Sequence, residues 1–227
     1  MIDKSIANLI TPSQLDNFIQ YKTGYVFGYS DEPEEFTDEM LINSVLKLNP
    51  PSLKMQAGTA FHKILQGVGY RNLVSDAYIC VGDWEIAIAH DLNINFEYPA
   101  IRECKVSGMI GGIQIAGTID AMSVTQVHDA KLTFSALNSE KYMNSYQWRA
   151  YSLLTGIDEF IYDVFSAKMD ELDKEVIIYD YNKIKCYAYP NMRRDVETLV
   201  EEFYHILCNI KANQPHLFLK GKSCETV

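Results

Sequence analysis

No stretch of this 227-residue chain reaches the roughly 18 consecutive apolar residues that a membrane span needs, although hydrophobic residues make up 48% of it. Its start, Met1-Ile2-Asp3-Lys4-Ser5, lacks the charged-then-apolar layout of a signal peptide, so a soluble, cytoplasmic protein is expected. Cysteine is sparse: Cys80, Cys104, Cys186, Cys208 and Cys224 are odd in number and include no Cys-x-x-Cys pair, which argues against a disulfide framework and a zinc ribbon. The P-loop pattern Gly-x-x-x-x-Gly-Lys-[Ser/Thr] does not occur, nor does an internal repeat, a low-complexity tract or a linker. One domain over 1–227 follows, long enough to bury its own core. Positive charge is also short: 20 Lys and Arg stand against 30 Asp and Glu, a formal net charge of −10. Such a balance works against tight, non-specific binding to phosphate backbones. Part of the excess is local, in Asp31, Glu32, Glu34, Glu35, Asp38 and Glu39, and again between Asp158 and Asp173.

The apolar pattern predicts helices at both ends and strands between. Thr11-Pro12-Ser13-Gln14 offers a Thr cap, Pro at the first helical position and Gln three residues after the cap, which starts a helix running to about 20. The acidic stretch leads into a short helix with Met40, Leu41, Val45 and Leu46 apolar. After Asn49-Pro50-Pro51, a helix over 56–68 buries Phe61, Ile64, Leu65 and Val68 and puts Gly58, His62 and Gln66 on another face. A glycine inside a helix costs about 1 kcal/mol relative to alanine, which makes sense if something must approach Gly58 closely.

From about 103 the period becomes two. Gly111-Gly112 reads as the turn of a hairpin joining 104–110 to 113–122, with Ile113, Ile115 and Ile119 on one face and Gln114, Thr118 and Asp120 on the other. A strand over 127–133 gives Asp129 and Lys131 a common face, and the two strands are expected to meet at a sheet edge. A single helix over 139–154, closed by Gly156, stacks Gln147 and Tyr151 at i, i+4. Strands at 160–165, 176–181 and 185–189 and a helix over 192–210 complete an α/β (α+β) fold, a mixed sheet flanked by helices.

Gly-x-x-x-His (Gly58, His62), Gly117-Thr118-Ile119-Asp120, Asp129-Ala130-Lys131 and Gln147-x-x-x-Tyr151 carry little singly. An Asp-x-Lys is usually a solvated strand face, and a lone helix histidine is usually half-buried packing. Their order and the element under each give them weight. Asp120 and Asp129 on neighbouring strands suit a divalent cation, with His62 completing a triad and the Ala130 backbone carbonyl as a fourth ligand. Lys131 would face the same phosphate and stabilise charge as a phosphodiester is cut. Imidazole suits later metals better than magnesium, so manganese should support activity at least as well. Gln147, Tyr151 and Gly58 would then contact the phosphate backbone or a stacked base.

This constellation resembles the PD-(D/E)XK nuclease superfamily, in particular its RecB-like branch with the phage-type exonucleases and the CRISPR-associated adaptation nucleases. His62 matches the family's helix histidine, Asp120 its first aspartate, Asp129 and Lys131 the (D/E)-x-K pair, and Gln147 and Tyr151 its Gln-x-x-x-Tyr signature. The resemblance spans 56–156 and implies a mixed sheet, a metal held at one edge, Mg2+ or Mn2+ as cofactor, and DNA as substrate. It puts the restriction-endonuclease-like core at about 56–166, a helical segment at 1–50, and strands and a helix at 174–212. Thr11 to Phe18 resembles the branch's opening helix. Cluster-bearing members follow that helix with a cysteine, where this chain has Tyr21, and need three more near the C-terminus, where only Cys208 and Cys224 stand; no iron–sulfur cluster is expected. A metal-dependent exonuclease assisted by a helicase, recombinase or clamp is the leading expectation. The alternatives are an inactive DNA-binding accessory of the same fold, which the acidic charge favours, and an RNA-directed nuclease.

Overall fold

The computed structural model describes residues 2–24, 36–67, 78–89, 92 and 98–219. Helices α1 (Lys4–Ala7), α2 (Pro12–Thr23), α3 (Asp38–Val45) and α4 (Leu53–Gly67) come first. The hairpin β1 (Tyr78–Val81) and β2 (Trp84–Ile88) follows. Then come β3 (Ile101–Ile110), β4 (Ile113–Met122), β5 (Gln126–Thr133), α5 (Ser139–Asn144), α6 (Tyr146–Thr155), β6 (Glu159–Asp170), β7 (Glu175–Tyr187) and α7 (Met192–Asn213), with a 3-10 turn at Pro215–Phe218. The strands form one sheet in the order β1-β2-β7-β6-β5-β4-β3. It is mixed: β2 with β7 and β5 with β6 are parallel, the other pairs antiparallel. The expected mixed sheet flanked by helices is what forms.

Period-two alternation assigns the two faces. Phe160, Tyr162 and Val164 of β6 join Val127 of β5 in a core with α1, α2, α3, α6 and α7, while Phe165 and Ala167 join Ala130 in a core under Ala57, Phe61, Ile64 and Leu65 of α4. Among the described residues no helix is long and apolar enough to cross a membrane.

Several elements differ from their sequence expectation, each for a local reason. The Thr11 side chain makes no capping hydrogen bond, and Gln14 turns inward to donate to the Ser44 carbonyl at 3.1 Å, so the capping box does not form. Helix α4 starts three residues early because the Ser52 hydroxyl accepts from Met55 N–H at 3.3 Å. Val68, the expected last buried residue of that helix, and the acidic residues at 31–35 lie outside the described residues. The helix expected over 139–154 breaks at Ser145, where ψ is 138° and the hydroxyl accepts from Gln147 N–H to cap α6. The strands expected at 176–181 and 185–189 are one strand, β7, paired with β6 throughout apart from a register shift at Ser166/Ala167. The β1–β2 hairpin and α1 are elements beyond those expected from the sequence. The Gly111-Gly112 turn is as expected: both residues have positive φ, 56° and 73°, and Ile110 pairs with Ile113.

Candidate active site

Strand β5 lies inside the sheet, so Asp120 and Asp129 do not meet at a sheet edge. They meet at a fork. β4 and β5 pair only at Ala121–His128 and Met122–Val127, and beyond that point they diverge. The alternation of β4 also breaks there: Ile119 and Met122 pack in the α7-side core, and Ala121 packs under α4. The β3–β4 ladder skips the facing pair Glu103 and Asp120, and Glu103 adopts a φ of 50°. Where the β4–β5 ladder ends, the Asp120 carboxylate replaces it, with Oδ2 accepting from Ala130 N–H at 2.9 Å.

Three elements supply side chains to the fork. From α4, His62 Nδ1 stands 3.6 Å from Asp120 Oδ2, and the imidazole also interacts with the Ala130 backbone. From β5, Lys131 Nζ stands 2.6 Å from Asp129 Oδ2. From α6, Gln147 Nε2 donates to Asp129 Oδ1 at 3.3 Å. The Asp129 Oδ2 atom is buried, and its contact is the ion pair with Lys131. Four predicted residues are therefore at the fork in two contacts, His62 with Asp120 and Lys131 with Asp129, with Gln147 on Asp129 and the Ala130 amide on Asp120.

Gly58 and Tyr151 sit differently. Among the described residues, a Cβ built on Gly58 would meet nothing within 4 Å. Tyr151 is 5% exposed, and its hydroxyl donates to the Thr118 carbonyl at 2.8 Å. Its ring occupies the space a side chain at Gly117 would need, since a Cβ there would lie 2.8 Å from Tyr151 Cε1 and from its hydroxyl oxygen. The glycine of Gly-x-x-Asp and the tyrosine of Gln-x-x-x-Tyr are thus two halves of one contact that ties α6 to β4.

The electrostatics are those of acids crowded out of water. Burial, then the Asp129 charge, pushes the Asp120 carboxyl up to about 8. Burial pulls the His62 imidazole down, partly opposed by the Asp129 charge. Burial would lower Lys131, but the charge and hydrogen bond of Asp129 outweigh it and hold the ammonium above its usual range. Glu103 adds negative charge to both His62 and Asp120, and accepts from Gln66 Nε2 at 2.6 Å. Sequence reading missed Glu103 because its position follows from the facing pair of a hairpin rather than from a motif.

The donor types suit a hard or borderline divalent cation: two carboxylates, one imidazole and a backbone carbonyl. One buried carboxylate is paired with the Lys131 ammonium and the other is pushed toward protonation, so a cation would take the place of that ammonium and that proton. Among the described residues, however, no group of three or more His, Cys, Asp or Glu side chains is gathered closely enough to hold an ion as it stands. The Lys131 ammonium and the Ala130 amide already take one oxygen of each aspartate.

Asp16 was also missed. It lies on α2 but accepts from Ser145 Oγ at 2.5 Å and from Tyr146 N–H at 2.6 Å, clasping the N-terminus of α6, the helix that carries Gln147 and Tyr151. Burial raises its pKa.

No family model and no curated protein matches the chain. Among solved structures it is similar to LHK-Exo in complex with dAMP, at 13% identity and a TM-score of 0.50, over 96% of this chain and 96% of that one. The alkaline exonuclease LHK-Exo from Laribacter hongkongensis is similar at 13% identity and a TM-score of 0.48, over 96% and 94% of the two chains. The structure of SSO0001 is similar at 13% identity and a TM-score of 0.45, over 87% and 75%. At these identities the likeness concerns the fold, which is shared along nearly the whole length of an exonuclease.

Proposed function

We propose that the chain is a metal-dependent deoxyribonuclease of the PD-(D/E)XK type, RecB-like or phage-type, acting as an exonuclease in recombination, repair or phage DNA processing. It would work as one domain over 1–227, with Mg2+ or Mn2+ as cofactor, DNA as substrate, and a helicase, recombinase or clamp as partner. One observation carries the reading: an imidazole from a helix beside one aspartate, and an ammonium on a second aspartate, stand at the point where two strands part.

His62, Asp120, Asp129 and the Ala130 carbonyl are the groups that would hold the ion. When bound, a divalent cation neutralises the scissile phosphate and activates water. Asp120 must be ionised for this, and Lys131, released from Asp129, would direct its charge toward the phosphate. Gln147, already on Asp129 Oδ1, would keep that carboxylate oriented. With no described residue within 4 Å of a Cβ at Gly58, that face of α4 would be where a nucleic-acid strand passes.

Labelled linear duplex and single-stranded DNA with Mn2+ tests this directly. Cleavage should occur, and Lys131→Ala should slow it by at least about a hundredfold. Absence of cleavage, or equal cleavage by the variant, refutes the reading.

A second reading, a DNA-binding accessory without catalysis, is favoured by the ion pair that occupies Asp129. It predicts DNA retention without cleavage in the same assay.

A further inference from the structure

His128 stands where the fork opens. Its backbone makes one of the two β4–β5 pairs, with Ala121, and the next residue is Asp129. Its side chain points to the α4 face, where Nδ1 lies 2.7 Å from Asp163 Oδ2 on β6. Tyr181 on β7 completes the row, its hydroxyl donating to Asp163 Oδ1 at 2.6 Å. His128 is 3% exposed and Asp163 0%. The Tyr98 ring meets the imidazole edge-on with centroids 6.4 Å apart. Both carboxylate oxygens of Asp163 are thus engaged, across three strands, beneath the sheet.

Stability alone is a poor reason for this row. A buried carboxylate bridging polar partners contributes little compared with apolar side chains of the same volume, and its surroundings, with Phe61 and Phe165, are apolar. Such a row does fix strand spacing and register. That matters here because β5 from Asp129 onward has no ladder partner on the β4 side and is held by β6 alone, apart from the Asp120 carboxylate on Ala130 N–H.

We infer that His128, Asp163 and Tyr181 form a pin that sets the opening of the β4–β5 fork and so the distance between Asp120 and Asp129. They are positioning residues and touch neither ion nor substrate. The consequence for metal rests on the nuclease reading, but the effect on the fork does not.

Two measurements on Tyr181→Phe and Asp163→Asn test the pin. In the metal-free protein, amide exchange at Ala130 should quicken by about tenfold, while Val200 and Phe203 in α7 change less than about twofold. Unchanged exchange at Ala130, or equal acceleration everywhere, overturns the inference. In calorimetry, Mn2+ affinity should fall by about tenfold in variants that remain folded; wild-type affinity in a folded variant also overturns it. Tyr181→Phe removes only a hydroxyl and decides the matter should Asp163→Asn fail to fold. A wild-type protein that binds no Mn2+ sinks the metal reading, and the exchange result then decides the pin by itself.

Discussion

Asp120 is held in the fold at a disadvantage to its ionised form. Its folded pKa of about 8 lies above the unfolded value of 3.8, so between those values the folded chain binds more protons than the unfolded one. Its contribution is therefore fully present below about pH 4 and is lost as pH rises through about 8. Denaturation of the metal-free protein should show this fall, and Asp120→Asn should abolish it and stabilise the protein at neutral pH by about 1–3 kcal/mol. An unaltered pH profile in Asp120→Asn would contradict the assignment. Mn2+ should bind more tightly over the same rise in pH, because the ion competes with that proton. Gly117 makes a second test at this scale. Gly117→Ala forces a methyl group against the Tyr151 ring and should cost about 1–3 kcal/mol, whereas Tyr151→Phe loses one hydrogen bond worth about 1 kcal/mol. The motif spacing made the residue types at the fork readable in advance. It did not reveal that Tyr151 turns its hydroxyl to a backbone carbonyl, which depends on how α6 lies across β4.

At the scale of elements, α6 is positioned by contacts remote in sequence. Asp16 on α2 accepts from the first amide of α6 and from the serine that breaks the helix away from α5. Asp16→Ala should lower stability by about 1–3 kcal/mol in urea unfolding. Exchange of the Tyr146 amide should rise more than that of β6. A variant as stable as the wild type would show that the clasp carries no energy. This explains what was legible in sequence and what was not. The Gly-Gly hairpin, the alternation of β4 and the long apolar stripe of α7 are local patterns and were readable. The break at Ser145 was not, because it depends on an acid more than a hundred residues earlier. The fusion of two expected strands into β7 depends on the length of its neighbour β6. The position of the site inside the sheet depends on strand order, which periodicity does not encode.

For the whole molecule, the charge of −10 works against the DNA chemistry proposed above. With 20 Lys and Arg against 30 Asp and Glu, a DNA substrate would meet few phosphate contacts, so the dependence of its affinity on salt should be shallow. Between about 50 and 200 mM salt the Kd should rise about tenfold, as for some two phosphates neutralised, and a loss of a thousandfold would show a basic track that the sequence does not suggest. The fold is similar to that of LHK-Exo along nearly its full length, which leaves the proposed chemistry to be tested at the fork itself. Calorimetric titration of Mn2+ into the wild type and Asp129→Ala tests the fork most directly. A saturable site in the wild type that Asp129→Ala abolishes is the predicted result; no binding by the wild type, or equal binding by both, would contradict it.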